Sequence, residues 1–183
     1  MAIVEAIATA YLEEGELDNE TFGVEFTGIP STYENLRLIV QPRSPNETDA
    51  GHLYLYFGTG GGAVDTAGNY DCHYTGVSGS TKISGSQLST GGIRFYDMVV
   101  GRNVAAELFG AAEILIADYA NTNKNTTVSC WYGSRTIVAS GKVVYQLSGV
   151  WDNTAAVDRI KLIPNTDGYA RGTSYTLYGE KSS

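Results

Sequence analysis

Side chains able to do chemistry are few in this sequence, and their spacing argues against a catalytic centre. Nucleophilic hydrolysis needs a nucleophile, a base and a group that orients the base, yet the chain has only two histidines, His52 and His73, and neither falls in a recognisable constellation. Gly76-Val77-Ser78-Gly79 approaches a nucleophile elbow but lacks its spacing. Cys72 and His73 are adjacent, and neighbours on a strand point to opposite faces, so they cannot both turn to one metal ion. The glycine run Gly58 to Gly62 lacks the Gly-Lys-Ser/Thr ending of a phosphate-binding loop and reads as a hairpin connection. Two acidic loops, Asn46 to Asp49 and Asp65 to Asp71, offer oxygen ligands, but neither follows the twelve-residue calcium pattern, and both read as solvated loops. Carboxylate pairs for glycoside cleavage could be drawn from 20 acidic residues in any fold, so they single out nothing. The expectation is no catalytic residue, no metal site, no cofactor and no enzyme activity.

Aromatic residues carry the stronger signal. Tyr and Trp combine a large apolar ring with a polar handle, so Tyr54, Tyr56, Tyr96, Trp131, Tyr132, Tyr145 and Trp151 could stack on sugar rings or anchor a protein interface. The same residues also suit the interior of strands. Within this set, Tyr54 and Tyr56 share one face with His52 and form a candidate partner interface, while Trp131 and Tyr132 are candidate glycan contacts.

Whatever positions these side chains must be built mainly from strands. The chain has 183 residues, 43% of them apolar and 17% charged. Gly, Ser, Thr and Asn supply about a third of it, a composition that favours turns and short strands over helices. Period-two alternation marks Phe22 to Phe26, Leu36 to Val40, and His52 to Phe57, where Leu53, Leu55 and Phe57 face the core. Further strands are expected at 111–119, 126–132, 142–151, 157–163 and 169–178, with 3–12 also read as a strand and 76–92 as a long loop holding at most one edge strand. Turn signals recur between them, no composition shift divides the chain, and no internal repeat is present. These features predict an all-β, single-domain antiparallel β-sandwich over residues 1–183, jelly-roll-like, with residues 1–20 as an N-terminal strand or arm.

Charge and composition narrow the partners. Twelve basic against 20 acidic residues give a net charge of −8, which leaves no basic surface to neutralise phosphates, so nucleic acid is not an expected partner. No apolar window reaches the length of a membrane-spanning helix, and Met1 is followed by Glu5, Glu13 and Glu14 instead of a basic leader, so neither membrane insertion nor secretion is expected. Cys72 and Cys130 are too few for a disulfide framework and are expected as free thiols.

Four segments in order carry a family resemblance. They are Phe26-Thr27-Gly28-Ile29-Pro30-Ser31-Thr32-Tyr33-Glu34-Asn35-Leu36; Asp118-Tyr119-Ala120-Asn121; Gly149-Val150-Trp151 continuing through Ala156-Val157 to Ile160-Lys161-Leu162; and Leu177-Tyr178-Gly179. In these segments the chain resembles a widespread family of small virion structural proteins of tailed bacteriophages. It departs from the family in the middle, where Gly58 to Gly62 and Asn69-Tyr70 stand in place of an Asn-Gly-Asp turn followed by Asn-Tyr. The resemblance implies a β-sandwich that does no chemistry, is made in the host cytoplasm and assembles on the virion, as a capsid decoration (cement) protein. Tail or fibre component and carbohydrate-binding receptor-recognition module are the alternatives. The implied partners are the major capsid protein or other virion proteins and further copies of the chain, a homo-oligomer, with a trimer by analogy to other decoration proteins.

Overall fold

A computed structural model describes residues 3–12, 23–135, 141–166 and 168–181. Among them there are twelve strands and no helix: β1 (Ile3–Tyr11), β2 (Val24–Thr27), β3 (Asn35–Gln41), β4 (Ala50–Gly58), β5 (Tyr70–Ser78), β6 (Thr81–Thr90), β7 (Ile93–Val100), β8 (Ala111–Ala117), β9 (Thr126–Ser134), β10 (Val143–Trp151), β11 (Arg159–Pro164) and β12 (Ser174–Lys181). They form an eight-stranded sheet in the order β1-β12-β3-β8-β9-β10-β5-β6 and a four-stranded sheet in the order β2-β11-β4-β7. All strand pairs within both sheets are antiparallel. Only the β5–β6, β8–β9 and β9–β10 links stay within one sheet; the others cross to the opposite sheet, which gives the jelly-roll-like sandwich its character.

Alternation builds the core. Leu36, Leu38 and Val40 of β3, Ile114 and Ile116 of β8, Val128, Cys130 and Tyr132 of β9, and Val143, Tyr145, Leu147 and Trp151 of β10 all point inward. Leu53, Leu55 and Phe57 of β4 and Ile160 and Leu162 of β11 meet them from the small sheet. Two strands escape the sequence pattern. β7 alternates only as far as Tyr96; a left-handed residue at Asp97 (φ 54°) then breaks the phase, and Met98, Val99 and Val100 are all buried. β5 carries polar residues on its outward face that mask it, and its partner β6 is the edge strand inside the Gly/Ser/Thr-rich stretch. The run Gly58 to Gly62 is not a hairpin turn: it leaves β4 in the small sheet and leads to β5 in the large one. The N-terminal strand is present as β1; of the rest of the expected arm over residues 1–20, Leu12 is described, and 1–2 and 13–20 lie outside the described residues.

Tyrosine and tryptophan tie the sheets together. Tyr70 of β5 forms a triangle of rings with Phe57 and Trp151, at centroid distances of 6.2 and 6.3 Å, the other two being 5.6 Å apart. Its hydroxyl accepts from the Phe57 amide at 2.9 Å and donates to the Asp65 carbonyl at 3.0 Å. The Asp65 carboxylate in turn accepts from Trp151 Nε1 (2.9 Å), Asn69 Nδ2 (2.8 Å) and the Ala67 amide (2.8 Å). Tyr132 of β9 repeats the device, its hydroxyl accepting from the Tyr96 amide of β7 at 3.1 Å. Each ring fills the gap between sheets while its polar tip satisfies a group that would otherwise be buried without a partner.

The four segments that carry the family resemblance converge on one end of the sandwich. The Ile29 amide donates to the Asp158 carbonyl (3.0 Å), and the Val157 amide to the Tyr119 carbonyl (2.8 Å). The Tyr119 hydroxyl donates to the Pro30 carbonyl. The Asp118 amide donates to Asn35 Oδ1 (3.1 Å), holding Asp118 in a left-handed turn at φ 49°. The Tyr33 ring lies against Gly179, where a Cβ would overlap it. These motif residues are a structural clasp.

Two predictions follow from the clasp and the tethers. Gly179→Ala should lower stability by about 1–3 kcal/mol, because the methyl must displace the Tyr33 ring; thermal unfolding followed by circular dichroism measures it. Burial alone would raise the Asp65 carboxyl, but hydrogen bonds from Asn69, Trp151 and Ala67 outweigh it and hold it below the usual carboxylate value. A depressed folded-state value means the stabilisation is present above the unfolded carboxyl pKa and is lost as pH falls through the folded one. Asp65→Asn should therefore cost about 1.5–3 kcal/mol at neutral pH and flatten the loss of stability on acidification, read from denaturant midpoints across pH.

Candidate functional site

The outward face of the eight-stranded sheet carries the most conspicuous surface feature. Among the described residues every exposed large hydrophobic side chain belongs to this sheet: Ile3, Val4 and Tyr11 on β1, Val77 on β5, Leu88 on β6, Trp131 on β9 and Val144 on β10. Trp131 is 62% exposed and stands near the middle of the sheet. Antiparallel partners share a face, so the ladder places Thr9, Thr176, Ile39, Glu113, Trp131, Gln146, Thr75 and Ser84 in one row across all eight strands.

The surroundings of Trp131 follow from that register. Ser129 and Gly133 flank it along β9, Glu113 faces it from β8 and Gln146 from β10. Small residues before and behind leave both sides of the indole open. On one side lies a depression of about 370 Å³ lined by Thr75, Val77, Lys82, Val144 and Gln146. On the other lies one of about 330 Å³ lined by Ile39, Gln41, Ala111 and Glu113, with Trp131 forming a wall of both. A third, of about 240 Å³, continues from Thr75 and Gln146 to His73 and Ser148. Glu113 is ion-paired with Arg37 at 2.6 Å, and Arg37 also holds Glu180 at 2.5 Å.

The expected site residues divide between the two sheets. Trp131 is outward and open; Tyr132, the next residue, points into the core, where it packs edge-on against Phe95 at 5.6 Å. Tyr132 as a glycan contact is thereby corrected: one step along a strand reverses the face. His52, Tyr54 and Tyr56 lie half-buried on the outward face of the small sheet. Their groups engage their own chain: His52 meets Tyr96 edge-on at 5.0 Å and accepts from the Asp97 amide at 3.2 Å, and Tyr54 and Tyr56 stack at 6.3 Å. Burial pushes the His52 imidazole below its ordinary pKa, with Arg94 adding to the shift and Asp97 opposing it.

Other candidates resolve into structure. Cys72 turns inward while His73 turns outward, and both cysteines are free and buried. Among the described residues no group of three metal-ligating side chains comes together. Asp65, from the second acidic loop, is engaged by Trp151 and Asn69, and Glu47, from the first, by Arg102. Gln146, Glu113, Thr75, Lys82 and His73 were not singled out from sequence as companions of Trp131. The usable signal was the phase of β9, where Val128, Cys130 and Tyr132 form the apolar set and Trp131 shares the polar phase with Thr127 and Ser129.

No family model matches the chain, and no curated protein does. Among solved structures it is similar to alginate lyase vAL-1 from a Chlorella virus, at 10% identity over 83% of this chain and 72% of that one, with a TM-score of 0.32. A likeness this slight supports neither a family nor an activity.

Burial raises the Cys130 thiol far above its ordinary pKa and pushes Cys72 up to about 11. Both should therefore resist a thiol-specific disulfide reagent in the native protein at neutral pH and react promptly once denaturant is added. Rapid labelling of either thiol in the native state would contradict the inward placement of β5 and β9.

Proposed function

We propose that the chain is a non-catalytic virion structural protein of a tailed bacteriophage, a capsid decoration protein, and that copies join through the edges of the eight-stranded sheet. The supporting observation is the state of those edges. β1 and β6 have nine and ten residues, and each has a neighbour on one side only among the described residues. From Ala6 to Tyr11 and from Ile83 to Thr90 they carry no charge and no proline, two of the devices that keep an edge from pairing; each does carry a bulge, at Ala6–Ala8 in β1 and beside Ser89 (φ 52°) in β6, so the stretches open to a neighbour are Ala8 to Tyr11 and Ile83 to Gln87. The small sheet offers less edge: β2 has four residues, and β7 changes phase in its middle at Asp97, whereas the irregularity of β6 at Ser89 lies near its end.

The geometry suits repetition. An even number of antiparallel strands makes β1 and β6 run in opposite directions, so β6 of one copy can pair antiparallel with β1 of the next. Such head-to-tail contacts close into a ring when the rotation permits, a trimer being the expected case, and the apolar side chains Ile3, Val4, Tyr11 and Leu88 lie on the joining strands. The motif resemblance in the clasp supplies the particle; the edges supply the means of joining.

Size-exclusion chromatography with light scattering should show a discrete oligomer, and the β1 pair Thr9→Lys/Tyr11→Lys should convert it to monomer with unchanged circular dichroism. Cryo-electron microscopy of the purified virion should place copies at capsomer junctions. A monomer at the highest soluble concentration would overturn the edge contact. Copies confined to the tail would overturn the decoration role, and absence from the particle would overturn the virion reading.

A further inference from the structure

We propose that the outward face of the eight-stranded sheet, centred on Trp131, binds a carbohydrate chain. This goes beyond assembly through the edges, since joining β1 to β6 leaves the middle of the sheet uncovered.

A sugar ring presents an apolar face of C–H groups and an edge of hydroxyls, so its receptor needs an aromatic plane ringed by hydrogen-bonding groups. Trp131 supplies the plane. Its Nε1–H has no acceptor among the described residues, nor has the Gln146 side chain a partner there, so both remain available to hydroxyls. Ser129, Ser148 and His73 extend the polar ground on the same face. From Ile39 on β3 to Thr75 on β5 the row crosses four inter-strand spacings, about 19 Å at ~4.8 Å each, which is room for a short oligosaccharide.

Neighbouring groups argue against other occupants. A protein hot spot is normally an aromatic anchor packed among apolar neighbours, whereas the residues that directly face or flank Trp131 in the ladder are Ser129, Gly133, Glu113 and Gln146, with the apolar Val77, Val144 and Ile39 set on the walls of the two depressions beside it. Nucleic acid would demand a run of free cations; here Arg37 is held by Glu113 and Glu180, which leaves Lys82 as the cation at the rim of the larger depression. The local charge is thus near balance with one ammonium at the edge. It suits a hydroxyl-rich chain that is neutral or carries an acidic substituent, and Lys82 is placed to read that substituent.

The test uses the intact chain on a printed panel of microbial polysaccharides, both neutral and uronic-acid-containing, with affinities taken from isothermal titration of the strongest binder. Saturable binding should appear, accompanied by a change in indole fluorescence that is absent in Trp131→Phe. Trp131→Ala should weaken binding at least tenfold with an unchanged melting temperature, because this side chain takes no part in the core, and Gln146→Ala should weaken it severalfold. If the binder is acidic, Lys82→Gln should reduce affinity for it; if neutral, Lys82→Gln should leave affinity unchanged. No binding by any polysaccharide on the panel, or equal binding by Trp131→Ala, would overturn the proposal. Thr9→Lys/Tyr11→Lys separates the two readings: a monomer that still binds glycan supports this site and its independence from assembly, and an oligomer that binds none overturns this site alone.

Discussion

A four-stranded sheet cannot cover an eight-stranded one. At ~4.8 Å between strands the large sheet is about twice as wide as its lid, and the sandwich closes only because other groups extend the lid. Rings with polar tips do part of this: Tyr70 and Tyr132 reach across to backbone amides of the small sheet, and Tyr169, on the β11–β12 link, packs on Tyr175 at 5.4 Å while its hydroxyl donates to the Leu162 carbonyl. Loops do the rest. Arg43, only 6% exposed, gathers the 104–108 turn by donating to the carbonyls of Val104, Ala105 and Leu108, so a buried charge is solvated by backbone in place of water. The clasp of Tyr33, Pro30, Tyr119 and Val157 closes another part of the same gap.

This division of labour separates what holds the fold from what meets the outside. The inward phase of each strand, the tyrosine tips and the clasp are committed to joining two sheets of unequal width. The outward phase of the large sheet has no such duty, and its side chains are free to be chosen for what they touch. The motif segments therefore fall on the clasp and on β10 to β12, whereas Trp131 and the Thr75 and Lys82 side chains beside it fall outside all four segments.

The same division governs what was legible in the sequence. Strand phase was readable wherever one face was consistently apolar, as in β3, β4, β8 and β10, and it was lost where the backbone changed phase at Asp97 or where an edge strand had no core face to speak of, as in β6. Of the aromatic residues that could serve either a surface or the interior of strands, Tyr132, Tyr145 and Trp151 are interior, as are Tyr70, Tyr119, Tyr169 and Tyr175. A tyrosine's type does not disclose whether its hydroxyl will find water or a backbone amide across the gap. Trp131 was identifiable by residue type, and its separation from Tyr132 by alternation alone. Its companions were not, because Gln146, Thr75 and Glu113 are distant in sequence and meet only through the register of three strand pairs.

That register gives the open face its character. An indole left in water on a sandwich that buries Trp151, Tyr70 and Phe57 together contributes nothing to the hydrophobic core. The residues directly facing and flanking it are small or polar, and the apolar Val144, Val77, Ile39 and Ala111 stand in the depressions to either side. A side chain with that geometry adds little to the fold, which is why the proposal gives Trp131 a role between molecules. The edges β1 and β6 answer to the same logic at the level of backbone: among the described residues each has a strand partner on one side only, and the hydrogen-bonding groups of its other side are open to a neighbour. In the two proposals, side chains on the open face and backbone at its borders would act as independent binding elements, one recognising by ring and hydroxyl chemistry and the other by strand addition, on a scaffold whose interior takes part in neither.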